Sequence, residues 1–365
     1  MLKRSLALLG TGLLLLLLTC RSASPNESEV GALPPVTADD LEPVYLTTAP
    51  PESQLAVPHI STRNRIALQL PSGRPPLRRV SAFTSSPDSL YLLEWRTNTI
   101  WQFDDDGTFI RRFGHAQSGE RVIEAGYSLH YSEKKRRIFV ADNSGTLVYH
   151  EDGEFDRVIE KPQYSYSVAE TPEGQLLVCS STLQGPHWVR LGEAGSIETF
   201  YSRRRPLLPP GQEHLSAFVP HSYADADSQG NIYIGAKVPY QIRKYASDLS
   251  YLGDFRLIPD PTVVDPPERL SPEEWEARMR GQTPTHSAVH MLSVIQNRYV
   301  VTQILNPDLE RRLHIYTLDG EQAFQPISWP YYFLGANYEG FMTFLDNTGD
   351  ELALVIGRLE GDGNE

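Results

Sequence analysis

Apolar residues in this chain fall in short runs that alternate with polar positions and stop at turn residues. The stretch 89–114, SLYLLEWRTNTIWQFDDDGTFIRRFG, sets the pattern. Leu90–Trp95 is an apolar run, Thr99–Phe103 and Phe109–Phe113 alternate, and the breaks fall at Arg96–Asn98 and Asp104–Gly107. Alternation with a period of two buries one face of a strand, and Asp-Gly supplies the positive-φ position that a tight hairpin needs. The stretch therefore predicts three consecutive antiparallel strands.

The same pattern returns at 137–161, 175–202, 231–255 and 298–324, and a shortened copy occupies 340–357. A mostly-strand repeat of roughly 40–55 residues predicts a propeller, because one four-stranded unit cannot bury both its faces alone. The expected fold is all-β, a six-bladed β-propeller of four-stranded blades. The blades are placed at 80–114, 125–160, 164–202, 221–256, 287–328 and 331–357. The last of these lacks a fourth strand, whereas 63–70, RNRIALQL, reads as a strand with no partner beside it. That N-terminal strand is expected to complete the last blade and close the ring, leaving no open edge. Inner strands are expected at Val80–Thr84, Tyr127–Tyr131, Ser165–Ala169, His221–Asp225, Ala288–Leu292 and Tyr332–Ala336.

The connections are unequal. Those between first and second strands, and between third and fourth, are short. The longer segments 115–126, 181–187, 203–220, 259–286 and 305–311 lie between blades or between second and third strands. In a four-stranded meander both of these leave the same face of the disc. Binding residues concentrate on loops carried by a rigid scaffold, so this loop-rich face is the expected working face. Within it, Ser271-Pro272-Glu273-Glu274 reads as a helix start, with Ser271 as cap and Glu274 completing a capping box.

Composition adds an address. The chain has 365 residues and a net charge of −13, which argues against a nucleic-acid or anionic-membrane surface. Residues 1–20 read as a signal peptide, with Lys3 and Arg4 before the apolar run Leu6–Leu18. The run ends in Leu17-Leu18-Thr19-Cys20, which resembles a bacterial lipobox and implies lipidation of Cys20. Residues 21–58, rich in Pro, Ser and Thr, predict a flexible tether, 59–357 the propeller, and 358–365 a disordered tail. The expected location is the cell envelope, through a lipid anchor. The outer membrane is favoured because Arg21 replaces the aspartate that resembles an inner-membrane retention signal. With Cys20 lipidated, Cys179 has no disulfide partner and is expected to pack in the core.

The blade sequence IWQFDDDGTFIRRFG (100–114), the link HAQSGE (115–120) and the segment ADADSQGNIYIG (224–235) carry a family likeness. They resemble the NHL-like six-bladed propellers, in particular the exported propeller lipoproteins of Bacteroidetes-type bacteria, over roughly 60–357. The resemblance implies the fold. It also brings two precedents for chemistry: NHL-like lyases with a metal in the channel, and gluconolactonase-like propellers with a calcium held by acidic and amide side chains.

Candidate residues follow. His130, His221 and His290 fall on expected inner strands, where imidazoles from different blades suit zinc. Glu94, Asp142, Glu170 and Asp225 are the acidic candidates near the channel. Arg203, Arg204 and Arg205 form a basic run suited to bidentate recognition of an anion. His187, Tyr223 and Tyr240, with Trp188 and Phe218, offer rings on the loop-rich face. The segment Asp225–Ile232 resembles the opening of a calcium-binding EF-hand loop, but Ala236 stands where a bidentate Glu is required, so it reads as a turn. The expected function is an envelope-anchored, monomeric binding module for a protein, peptide or glycan, without a cofactor and without nucleic acid. The alternative is a metal-dependent lyase or lactonase-like enzyme with zinc or calcium in the channel.

Overall fold

The computed structural model describes residues 46, 55–73, 77, 79–115, 122–160, 162, 164–182, 185–192, 196–202, 222–236, 241–255, 273, 288–306, 308, 310–349 and 351–360. Six four-stranded antiparallel sheets are present, a six-bladed β-propeller. The first blade is Val80–Ser86, Ser89–Glu94, Thr99–Phe103 and Phe109–Phe113. The second is Ser128–Ser132, Arg137–Asp142, Gly145–His150 and Phe155–Ile159, and the third Ser165–Glu170, Leu176–Thr182, Gly185–Leu191 and Ile197–Ser202. Blade four is Ser222–Ala226, Ile232–Ala236, Gln241–Tyr245 and Tyr251–Asp254. Blade five is Ala288–Ile295, Tyr299–Leu305, Arg311–Thr317 and the short Ile327–Ser328. Within these five sheets, strands are joined in chain order, and neighbouring inner strands of all six blades contact each other around the ring.

Blade six runs Tyr332–Ala336, Met342–Asp346, Ala353–Glu360, and its fourth, outermost strand is His59–Ala67. The register pairs His59 with Glu360 and Ala67 with Ala353, with one irregularity at Thr62/Asn64. The N-terminal strand thus closes the ring as its sequence requires, although it starts earlier than expected. Pairing with it also keeps 358–360 in the last strand, inside the segment expected to be tail. The isolated strand reads correctly because its apolar side is used. Ile66 and Leu68 are buried in a cluster with Trp101, Phe103, Leu345 and Leu354, which joins blade six to blade one. Each fully buried side chain of this kind contributes roughly 1.5–3 kcal/mol. The backbone is tied here too. The Gln69 N–H donates to the Gly107 carbonyl at 2.9 Å. A side chain on Gly107 would sit 2.4 Å from the Ala67 carbonyl, so only glycine fits.

One turn design recurs. In five turns, a side-chain oxygen at the first position accepts the N–H four residues on, with glycine at the fourth. The pairs are Asp104/Thr108, Thr171/Gln175, Asp227/Asn231, Thr317/Glu321 and Asn337/Phe341. The glycines, Gly107, Gly174, Gly230, Gly320 and Gly340, all have φ between 77° and 90°. This is the positive-φ position that a three-residue hairpin loop with a bulge demands. The acidic segment at 225–232 is one of these turns. Asp227 caps it, and its second oxygen accepts from Tyr233 and Asn231.

Second and third strands form the dry interior. Ser89–Glu94 and Thr99–Phe103 are buried at every position. Trp188 is wholly buried and donates its indole N–H to Ser222 Oγ at 2.6 Å, so it serves the core rather than a surface. Cys179 is free and buried, and burial pushes its thiol up to about 11. Leu46, within the expected tether, donates its N–H to the Asp254 carbonyl, and the Ala56 carbonyl accepts from Gln325 N–H. Part of that segment therefore lies against blades four and five. Of the expected helix at 271–280, Glu273 is described and is helical. Residues 1–20 with Cys20 lie outside the described residues.

Candidate functional site

The inner strands differ from the others in sequence. Small polar residues stand among their apolar ones: SAFTSS, SLHYS, SYSVAE, SYADA. The structure uses these at the seams between blades. Thr84 Oγ1 of blade one accepts the N–H of Tyr131 of blade two at 2.9 Å. Ser128 Oγ of blade two accepts the N–H of Val168 of blade three at 3.4 Å. Ser222 of blade four accepts from Trp188 of blade three. Asp225 Oδ2 of blade four accepts both the N–H of Val294 and the hydroxyl of Ser293, each at 2.8 Å, from blade five. Ser293 Oγ in turn accepts the N–H of Ala336 of blade six at 3.2 Å. Ser85 Oγ of blade one accepts the N–H of Tyr338 of blade six at 3.0 Å.

These strands enclose a cavity of about 570 Å³ at the propeller axis. Its described lining takes residues from all six blades, including Phe83, Tyr127, Ser167, Tyr223, Met291 and Gly335. It extends to the turns that join first and second strands, where Lys134, Thr171, Asp227 and Tyr338 stand. Tyr338 is exposed at this mouth.

His130 and Glu170, from blades two and three, meet in the cavity. His130 Nε2 lies 3.4 Å from Glu170 Oε2, with the histidine side chain 27% exposed and the glutamate 9%. The other oxygen, Glu170 Oε1, accepts from Ser132 Oγ at 2.9 Å and Lys135 Nζ at 3.0 Å. Burial alone would raise the Glu170 pKa and is the largest single influence. Hydrogen bonds from His130, Ser132 and Lys135, with the charge of His130, together outweigh it and hold the carboxyl down at about 2. Asp225 goes the other way. Burial raises its pKa above the ordinary value, opposed by the N–H of Val294, the hydroxyl of Ser293, the N–H of Ala226 and the charge of His130.

Tyr223 lines the same cavity. Burial raises its phenol above the usual range, so it stays a protonated donor. Its hydroxyl has no hydrogen-bond partner among the described residues. The neighbouring phenols differ: Tyr127 donates to Asn143 Oδ1 at 3.1 Å, and Tyr131 donates to Glu151.

The sequence candidates are therefore distributed unevenly. His130, Glu170, Asp225 and Tyr223 come together at the cavity. His290 packs edge-on against Tyr332, ring centroids 5.8 Å apart, and does not line the cavity. Asp142 is spent on a turn, accepting from Ala125 N–H, Ser144 N–H and Ser144 Oγ. Glu94 is buried and accepts from Thr97 Oγ1 at 2.8 Å. Arg203, Arg204, Arg205, His221, Phe218 and Tyr240, and the side chain of His187, lie outside the described residues. Among the described residues no three His, Cys, Asp or Glu side chains gather as a metal site.

No protein-family model and no curated protein matches the chain. Solved structures do. A Bacteroides fragilis protein assigned as exported aligns at TM-score 0.56 and 13% identity, covering 83% of this chain and 96% of its own. A member of the DUF4221 family from Bacteroides vulgatus aligns at TM-score 0.58 and 12% identity, covering 85% and 100%. A catalytically inactive virginiamycin B lyase from Staphylococcus aureus, solved with quinupristin, aligns at 0.46 and 11%, covering 76% and 80%. At these identities the likeness is one of fold.

The Glu170 contacts set a pH dependence. Its folded pKa lies below the ordinary glutamate value of 4.5, so its contribution is present above that value and is lost as pH falls toward about 2. The shift corresponds to about 3 kcal/mol. Glu170→Gln is expected to be less stable than wild type at pH 7, with the gap closing by about 2 kcal/mol by pH 3 in urea titrations. A gap that does not change with pH would show that the carboxylate is not held as described.

Proposed function

We propose that the protein is an exported, envelope-anchored binding module whose ligand enters the axial cavity. The carrying observation is the cavity itself: about 570 Å³, within the range of small-molecule sites, with polar side chains from several blades in its wall. Tyr223 and His130 are among them, and the His130 ring meets Glu170 through Nε2. Export fits both the N-terminal sequence and the assigned export of the Bacteroides fragilis structure that shares the fold. The anchor, through Cys20, and the preference for the outer membrane rest on the sequence alone. The likeness to lyase-type propellers is too distant to bring a reaction with it, and no described metal site favours the enzyme reading.

Ser81 is exposed in the cavity wall, at a β-bulge, so a large side chain there fills the cavity without entering the core. Saturation-transfer NMR with neutral, anionic and cationic polar fragments is expected to detect binding to wild type. Ser81→Trp is expected to weaken that binding at least tenfold (about 1.4 kcal/mol) without altering the circular dichroism spectrum. Equal binding to both proteins, or none to wild type, would contradict a cavity site.

A further inference from the structure

The two ends of the cavity differ, and its described lining separates them. Inner strands all run the same way along the axis, from the inter-blade links to the turns that join first and second strands. At the end of those short turns the lining takes in the turns themselves, with Lys134, Pro172, Ser228 and Tyr338 from blades two, three, four and six. At the opposite end it stops within the strands, at Ser81, Ser167, Tyr223 and Met291. Of the described loops on the loop-rich face, only Tyr127 reaches it.

The rim of short turns is fixed rather than lid-like. Thr171, Asp227 and Asn337 each accept the N–H four residues on within their own turn. The Ser228 N–H donates to Asn297 Oδ1 of blade five at 2.6 Å, and the Tyr338 N–H to Ser85 Oγ of blade one at 3.0 Å. Turns so short and so bonded do not fold over the axis, and a ligand longer than the cavity can project through them. Depth follows from the strands. Tyr223 is the second residue of Ser222–Ala226 and Asp227 stands in the turn that follows, so at roughly 3.3 Å per residue they lie about 13 Å apart along the chain. The Tyr223 phenol, kept protonated by burial and without a hydrogen bond to the described residues, is therefore a donor near the inner end.

We propose that the cavity is entered from the face of short turns, past Ser228 and Tyr338, by an elongated ligand that inserts end first and meets Tyr223 OH with a hydrogen-bond acceptor at its leading end. This rests on the cavity reading above and adds to it an entrance, an orientation and a ligand shape. Loop length alone favours the loop-rich face, but that face is then the one away from the entrance. Tyr223 is the residue that selects the leading group.

The test uses the intact chain, deuterated and ¹⁵N-labelled, with one uncharged probe: a hexamethylene chain carrying an acetamide at one end and a nitroxide at the other. The nitroxide broadens the amide signals nearest to it. Strongest broadening is expected at Lys134, Thr171 and Ser228, and weaker broadening at Ser81, Ser167 and Tyr223. Tyr223→Phe is expected to raise the probe's Kd about fivefold, the loss of one hydrogen bond, while its urea midpoint stays level or rises. A purely structural role for Tyr223 would lower the midpoint and leave Kd in place. Broadening strongest at Ser81, Ser167 and Tyr223, broadening confined to no region, or an unchanged Kd in Tyr223→Phe overturns the proposal. In those cases fragment binding that is lost in Ser81→Trp keeps the cavity reading, and fragment binding equal in both proteins removes it as well.

Discussion

A propeller's innermost strands have one edge with no strand to pair with, and what fills that edge decides both stability and function. Here each of the six seams carries a polar bond from one blade to the next. Five seams use the same device, a short side-chain oxygen accepting a backbone N–H: Thr84 to Tyr131, Ser128 to Val168, Asp225 to Val294, Ser293 to Ala336 and Ser85 to Tyr338. The last of these closes the ring between blades six and one, and in the sixth seam the Trp188 indole N–H donates to Ser222, joining blades three and four. An unpaired buried N–H costs about 1–3 kcal/mol, so these small residues matter more than their size suggests.

The stitching has a consequence for the cavity. Groups used in seams are not available to a ligand, so a wall rich in hydroxyls and carboxylates is mostly satisfied from within. Asp225 illustrates this: it lines the cavity, yet its oxygens are engaged by Val294, Ser293 and Ala226. Against that background the Tyr223 phenol, which lines the cavity and makes no hydrogen bond to the described residues, is available to a ligand. The Glu170 cluster, with Ser132 and Lys135, holds His130 at the cavity wall.

Much of the fold was legible in the sequence. The repeat spacing placed six blades, and all six inner strands begin within one residue of expectation, because turn glycines and apolar alternation are local signals. Ring closure by 63–70 was legible for the same reason: Ile66 and Leu68 are apolar with no local partner. The site was only half legible. His130, Glu170, Asp225 and Tyr223 each appeared as candidates, but under different headings. Their meeting depends on the rotation between blades, which brings residues 40 apart in sequence to 3.4 Å. Strand phase decided the rest. His290 sits on an inner strand like His130, yet packs on Tyr332 away from the cavity. The seam donors are backbone groups, and no side-chain pattern announces them. The polar bias of the inner strands was the available signal.

The seam bonds are the central claim, and residue-resolved hydrogen exchange reads them directly. The amides of Tyr131, Val168, Val294, Ala336 and Tyr338 face a seam, with a side-chain acceptor in place of a strand partner. They are expected to exchange as slowly as the core strand amides of Leu92 and Val140. Exchange at the rate of open loop amides such as that of Asp105 would contradict the account.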